Sequence, residues 1–287
     1  MNESVHLKVF PPPKPLLVRI ARIEDDPIAI ALCPDFENGE WRSKALLDHL
    51  FDWLPEVALQ PAEREAMLYE ANKQLKHSAF RMFKNVDPSK RGELGEILIH
   101  AACRQEFSTL PIIARLFFKM RSNDQVTGVD VAHLTYDAKS DDIDLWLGEA
   151  KLYEDINSAK YAALKSIKPF WDIDFLSEMK VLVGPKIEPT APYSERLSWL
   201  FEDETSLDKI IDRIVVPICI CADFEPTKAA TLRDKEYIEH IIDELGKLRD
   251  YFSTKIPQEV RFVCIFVPLD SKSKLESLLA TKIAAFQ

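Results

Sequence analysis

Two continuous apolar segments near the C-terminus, residues 213–222 and 261–269, restrict the fold more than any other part of the sequence. Neither segment alternates with polar residues, so each is expected to be a β-strand buried on both faces. Segments with helical spacing lie at residues 205–212, 233–252 and 272–285. Apolar strands that alternate with helices predict an α/β fold, in which helices flank a mixed central sheet.

The middle of the chain predicts the elements that carry most of the candidate chemistry. A helix is expected at residues 93–107, with its apolar residues spaced toward the core. Strands are expected next, and the last two form a hairpin through the polar turn AKSD. After the helix at 93–107 the predicted elements are strands at 112–120, 128–137 and 142–153, a helix at about 156–168, and a strand in KVLVGP (180–185).

The first third of the chain reads as an α+β region without a catalytic motif. Residues 19–33 predict two strands around a turn, and residues 43–54 and 61–84 have helical spacing. Proline, serine and glycine interrupt the pattern at NVDPSKRG, residues 85–92. The sequence therefore predicts an N-terminal region at residues 1–87 and a second domain at residues 88–287.

Composition excludes several classes of function. The 287 residues contain 37 Lys and Arg against 47 Asp and Glu, a net charge of −10, so bulk charge does not favour binding of a polyanion. Only seven glycines occur, and neither GxGxxG nor GxxxxGK[ST] is present, so a nucleotide-binding loop is not expected. Five scattered cysteines, with no signal peptide and no long apolar span, predict a reduced, cytoplasmic protein without a membrane segment.

An acidic residue two positions before a lysine is a candidate for metal-dependent hydrolysis of a phosphodiester. Residues two apart on a strand share a face, so such a pair can present a metal ligand and a cation together. The spacing occurs four times and is a weak signal by itself. The four pairs are Asp137/Lys139 in the polar turn, Glu178/Lys180 before an apolar run, Asp270/Lys272 at a strand end, and Glu149/Lys151.

Glu149 and Lys151 stand out because they continue an apolar face of a predicted buried strand, after Leu145 and Leu147. Burying such charges costs several kcal/mol unless a metal, a phosphate or each other offsets them. Asp130 lies on the hairpin partner, where it can supply a second carboxylate, and the small Gly148 and Ala150 permit close packing on the opposite face. The alternative is a structural Glu–Lys pair at a strand end.

The helix at 93–107 offers a further carboxylate. Glu93 and Glu96 are three residues apart and therefore share a helical face, with His100 one turn beyond Glu96. Glu96 is the first choice for a metal ligand and Glu93 the alternative, although an acidic helical face is commonly just solvated. His133 is expected on the strand face opposite Asp130, as a hydrogen-bonded sheet histidine and not a catalytic base.

The segments RGELGEILIH, TGVD and LWLGEAKLYED, in this order and spacing, resemble the PD-(D/E)xK nuclease superfamily and, more narrowly, the HamA nuclease subunits of the Hachiman anti-phage system. The resemblance covers about residues 88–287 and implies a restriction-endonuclease-like core. It implies that Asp130 and Glu149 bind Mg²⁺ or Mn²⁺, that Lys151 assists the attacking water, and that Glu96 is the helix ligand, with Glu93 as its competitor. The superfamily's proline is replaced by Val129.

The same resemblance implies partners and a biological role. A HamB-like superfamily 2 helicase is expected to hold the chain inactive, and DNA is expected to be degraded without strong sequence preference on activation. Residues 1–87 are the candidate docking surface for that partner. Two alternatives remain: a non-catalytic interaction subunit built on a nuclease-like scaffold, and a sequence-specific restriction endonuclease, for which no zinc finger or helix-turn-helix motif is present.

Overall fold

The computed structural model describes residues 11–84, 92–112, 129–183, 193–202 and 204–285. Its core is a seven-stranded mixed sheet in the order β1-β2-β9-β8-β7-β6-β5, and β3 and β4 form a separate two-stranded ribbon. The strands are β1 Val18–Ile23, β2 Ala29–Cys33, β3 Phe36–Glu37, β4 Glu40–Trp41, β5 Leu110–Pro111, β6 Val131–Asp137, β7 Asp142–Tyr153, β8 Ile214–Asp223 and β9 Arg261–Leu269.

The centre of the sheet is parallel and its margins are antiparallel. Strands β2, β9, β8 and β7 pair in parallel, whereas β1 pairs antiparallel with β2, and β6 with both β7 and β5. Every residue of β8 from Ile214 to Ala222 is buried, as its unbroken apolar run predicts. The predicted α/β class, with a mixed central sheet flanked by helices, is confirmed.

Helices cover both faces of this sheet. On one face α5 and α10 pack over buried residues such as Ile218 and Phe266. On the other, α1, α4 and α11 pack over residues such as Cys219 and Ile265. The helices are α1 Ser43–Ala58, α2 Pro61–Ala66, α3 Ala71–Phe83, α4 Glu93–Phe107, α5 Ile156–Ile167, α6 Ile173–Val183, α7 Ser194–Phe201, α8 Leu207–Ile211, α9 Glu225–Ala229, α10 Lys235–Ser253 and α11 Lys272–Ala284, with a 3₁₀ turn at Lys168–Trp171.

The N-terminal region contributes to the same sheet as the rest of the chain. The predicted strand pair in residues 19–33 is confirmed as β1 and β2, and β2 pairs with β9 through Ala29↔Cys264. Helix α1 packs against α4 and α11. The break predicted at 85–92 lies almost wholly outside the described residues, so the boundary itself stays a prediction. The sheet is shared by the two predicted parts.

Two small residues allow close packing around β7. A Cβ on Gly148 would lie 2.5 Å from Cγ of Pro217 on β8 and 3.0 Å from Cδ1 of Ile99 on α4. A Cβ on Gly95 of α4 would lie 3.4 Å from the Cβ of Ala150. Gly148 and Ala150 therefore permit the close packing that the sequence predicts, and at Gly148 the neighbouring strand imposes the tighter limit.

Three local predictions differ from the structure. The strand predicted in KVLVGP is wrong, because Lys180–Val183 are the last turn of α6, whose buried Leu176 and Met179 face the core. A short apolar run does not by itself distinguish a strand from one turn of a buried helix. The predicted helix 61–84 is divided into α2 and α3, and the Gln74 amide donates to the carbonyls of Arg64 and Met67 at the break. Most of the strand predicted at 112–120 lies outside the described residues.

Candidate active site

Asp130 and Glu149 come together because β6 and β7 form a hairpin in tight register. Val131 pairs with Gly148, and the Asp130 amide donates to the Gly148 carbonyl at 2.9 Å. The Ala150 amide in turn donates to Oδ2 of Asp130 at 2.9 Å. The backbone of the neighbouring strand therefore holds the Asp130 carboxylate beside the position of Glu149.

Glu149 and Lys151 form an ion pair on one face of β7. Their side chains are 7% and 19% exposed, respectively, so the pair is largely removed from water. Burial first, and the charge of Asp130 second, raise the pKa of Glu149 to about 7, against opposing contributions from Lys151 and a hydrogen bond from Ser166 on α5. Extra positive charge at this point would stabilise the ionised carboxylate.

An open cavity of about 580 Å³ lies at this end of β7. Asp130, Glu149 and Lys151 line it, together with Glu96 from α4, whereas Glu93 is not among its described lining residues. Of the Asp, Glu, Lys and Arg residues lining the cavity in the described part of the chain, six are acidic (Glu96, Asp130, Glu149, Glu154, Asp155 and Glu276) and two are basic (Lys151 and Lys272). The surplus of carboxylates favours cations over an unaccompanied phosphodiester.

Helix α4 reaches the cavity from the other side of the sheet. Gly95 packs over Ala150 and Leu152, whose side chains point away from the face that carries Glu149. Glu96 lies in the first turn of α4 and is 7% exposed, and Glu93 is 8% exposed. The structure therefore brings Glu96 to the same cavity as the hairpin residues, which favours it over Glu93.

The donor set suits a hard divalent cation that keeps several waters. Mg²⁺ is commonly bound by one or two carboxylates, and Asp130 and Glu149 offer two. Burial and the neighbouring Asp130 destabilise the ionised form of Glu149, which a bound cation would stabilise. Among the described residues, no three Asp, Glu, His or Cys side chains lie close enough to hold a metal together. Asp130 and Glu149 fit the implied metal, and Glu96 as a third ligand stays a prediction.

Structure also places residues at the site that the sequence pattern does not single out. Ser166 donates its hydroxyl to Glu149 from the helix that follows β7. Lys272 and Glu276, one turn apart on α11, form an ion pair at 2.8 Å. Both line the cavity although they are more than 100 residues from β7 in sequence. These contacts depend on long-range packing. The sequence marked Lys272 only through its spacing from Asp270, and the structure shows that this spacing lies at the N-terminus of α11, where Ser271 is the N-cap.

The remaining acid–lysine pairs lie elsewhere. Asp137 ends β6 and Lys139 lies in the turn that follows; both are exposed, as the polar turn predicts, and Asp137 accepts a hydrogen bond from the Lys139 amide. Glu178 and Lys180 are on α6 and not at a strand start, and the Lys180 ammonium donates to the Thr205 carbonyl at 2.8 Å. Neither pair lines the cavity beside Glu149.

Buried hydrogen bonds connect β6 to α4, and a close contact between His100 and Glu56 continues the network to α1. Thr109 Oγ1 lies 2.8 Å from Nδ1 of His133, and Nε2 of His133 lies 2.9 Å from Nδ1 of His100. Nε2 of His100 is 3.2 Å from Oε1 of Glu56. Burial lowers the pKa of both histidines, so each is neutral near pH 7. The prediction that His133 is a hydrogen-bonded sheet histidine, facing away from Asp130, is confirmed.

Glu56 is the charged end of this network. Nε of Arg104 lies 2.6 Å from Oε1 of Glu56, and NH1 of Arg64 lies 3.3 Å from Oε2. Burial alone raises the pKa of Glu56, but its partners lower it to about 2. The largest lowering contribution comes from His100, followed by the charges of Arg104 and Arg64. Glu56 thus anchors α1 and α2 to α4, the helix that carries Glu96.

Comparison with known proteins places this chain. A model of the HamA family matches residues 17–283, nearly the whole length. The chain belongs to the HamA family. It is also 30% identical over 125 residues to anti-bacteriophage protein A of Escherichia coli (strain K12), an alignment that covers 42% of this chain and 22% of that protein. The HamA match includes α1–α3 as well as the hairpin site, and in the described residues no helix is both long and apolar enough to cross a membrane.

Proposed function

We propose that this HamA-family chain is a metal-dependent deoxyribonuclease that acts as the effector of an anti-phage defence complex. The observation that carries the proposal is the hairpin site: a buried Glu149 beside Asp130 and paired with Lys151, at the edge of an open acidic cavity. Two adjacent carboxylates and a lysine are the groups that hydrolysis of a phosphodiester at a metal requires.

Each residue has a separate role in this scheme. Asp130 and Glu149 would hold Mg²⁺ or Mn²⁺, which when bound supplies charge neutralisation and acidifies a coordinated water. The Ala150 amide and the Ser166 hydroxyl orient the two carboxylates. The Lys151 ammonium orients the attacking water and offsets negative charge that develops on the phosphate.

The charge of the chain supports dependence on a partner. A net charge of −10 and an acidic cavity give little unaided attraction for DNA. The family resemblance implies a HamB-like superfamily 2 helicase as the partner, which would bind DNA, keep the enzyme inactive, and deliver DNA to it on activation. Anti-bacteriophage protein A, the partial relative, carries a defence role in its name, which supports the same setting.

Plasmid degradation tests the chemistry. The chain, alone and with a HamB-like helicase, is incubated with plasmid DNA in Mg²⁺ or in EDTA, and loss of intact plasmid is measured over time. Lys151→Met removes the ammonium group and keeps the aliphatic part of the side chain, so we expect the cleavage rate to fall at least roughly 100-fold. The control Lys139→Met, in the exposed turn, is expected to cleave at the wild-type rate. Degradation in EDTA, or by Lys151→Met at the wild-type rate, contradicts the proposal. A complex that assembles but never degrades DNA favours the non-catalytic scaffold.

A further inference from the structure

Helix α5 has a charge opposite to that of the whole chain. Residues 156–168, which are α5 and the first residue of the 3₁₀ turn after it, contain Lys160, Lys165 and Lys168 and no acidic residue, in a chain with ten more acids than bases. Ala159, Ala163 and Ile167 face the core, so the lysines lie on the outer side of the helix. Lys165 and Lys168 are exposed, and in the described structure neither forms an ion pair. Their charge is available to a ligand.

Two tyrosines lie among these lysines. Tyr161 is 70% exposed. On the neighbouring α10, the ring centroid of Tyr251 is 4.9 Å from Nζ of Lys160 and 4.1 Å from Nζ of Lys255. Tyr161 is close enough to Tyr251 to raise the pKa of the Tyr251 phenol, after the effect of partial burial. We name this the lysine–tyrosine surface; it consists of Lys160, Tyr161, Lys165, Lys168, Tyr251 and Lys255.

The lysine–tyrosine surface begins beside the candidate active site. Helix α5 starts three residues after β7 ends, and its Ser158 lines the acidic cavity. Tyr161 is three residues beyond Ser158, about 4.5 Å along the helix axis and nearly one turn further. The adjacent acid, Asp155, is used as the N-cap of α5, where it accepts from the Ser158 amide. A DNA strand leaving the cavity along α5 would meet Lys160 and the exposed Tyr161 first, and Lys165 and Lys168 next.

We infer that the lysine–tyrosine surface binds a single DNA strand that extends from the cavity. This rests on the proposed nuclease function for the identity of the ligand, and on the exposed groups for the mode of binding. Lysines that flank an exposed aromatic ring combine phosphate neutralisation with a platform for base stacking. An acidic protein segment would use the lysines but would gain little from the Tyr161 ring.

Binding measured without cleavage tests the inference separately from the nuclease. Anisotropy of a fluorescein-labelled, mixed-sequence single-stranded oligonucleotide is recorded at low ionic strength in EDTA, with the full chain at increasing concentration. The test variants are Lys160→Glu/Lys165→Glu/Lys168→Glu and, separately, Tyr161→Ala. The matched control is Lys44→Glu/Lys73→Glu/Lys235→Glu, three lysines with more than half-exposed side chains on other helices. Circular dichroism melting checks that every variant folds.

The triple glutamate variant of α5 is expected to raise Kd more than tenfold and to lower the salt dependence of log Kd by about 2, since each single-strand phosphate contact contributes about 0.7. Tyr161→Ala is expected to raise Kd roughly fivefold or more. Equal effects of the test and control triples overturn the inference, as does a wild-type chain that does not bind the oligonucleotide. Poly-L-glutamate binding as tight as that of DNA and insensitive to Tyr161→Ala also overturns it. Binding at this surface by a chain that never cleaves leaves the inference standing and refutes the nuclease.

Discussion

Replacing Glu149 with glutamine should stabilise the metal-free fold while abolishing DNA cleavage. Burial and the Asp130 charge raise the pKa of Glu149 from its ordinary value of 4.5 to about 7. That difference corresponds to about 3 kcal/mol of lost stability at pH 8, where the carboxylate is ionised in both the folded and the unfolded chain. Glutamine keeps the shape and removes the charge, although Lys151 then loses its partner, so we expect a net gain of about 2 kcal/mol.

The pH dependence gives this prediction its sign. A carboxyl whose pKa is raised on folding binds its proton more tightly in the folded chain. The wild type is therefore penalised progressively as pH rises from about 4.5 to about 7, and the full penalty applies above pH 7. The advantage of Glu149→Gln should be about 2 kcal/mol at pH 8 and under about 1 kcal/mol at pH 5.

Thermal melting in EDTA at pH 8 and pH 5 measures the effect. We expect Glu149→Gln to raise Tm by roughly 5 °C at pH 8, and Glu178→Gln, an exposed glutamate on α6, to leave it nearly unchanged. Adding Mg²⁺ should raise the Tm of the wild type and not that of Glu149→Gln, because only the wild type retains both carboxylates. A Glu149→Gln variant that melts below the wild type at pH 8 would refute the reasoning about this site.

Three further predictions concern packing, the buried network and the helix ligand. Gly148→Ala should lower the free energy of unfolding by about 1–3 kcal/mol, measured with urea, because its Cβ would overlap β8. The control Gly246→Ala, whose Cβ meets nothing within 4 Å, should raise it by about 0.5–1 kcal/mol. Equal effects of the two substitutions would show that the contact with β8 is absent. Glu56→Gln should cost about 3–5 kcal/mol at pH 7, since it leaves the buried Arg104 and the half-buried Arg64 without a carboxylate, and the loss should fade as pH drops from about 4.5 toward 2. A pH-independent loss would contradict the lowered pKa of Glu56. Glu96→Gln should slow plasmid cleavage at least tenfold and Glu93→Gln far less, because only Glu96 lines the cavity; similar rates for both would contradict that assignment.

Sequence alone determined those parts of the protein that depend on local pattern. The unbroken apolar runs of β8 and β9 indicate strands buried on both faces, and the spacing of Leu145, Leu147, Glu149 and Lys151 places a charged pair at the end of a buried face. Strand alternation and hairpin register act over a few residues, so Asp130 could be placed beside Glu149 from the pattern of the turn.

Only the tertiary structure decided how distant segments meet. It brings Glu96 to the cavity from the opposite face of the sheet, Lys272 to the cavity from α11, and Ser166 of α5 into hydrogen-bond contact with Glu149. It also places β1 and β2 in the same sheet as β9. The apolar run KVLV, predicted as a strand, is the last turn of α6, because a short apolar run fits either element. The physical reason is that packing and strand pairing over long sequence separations depend on complementary surfaces, which a pattern of adjacent residues does not encode.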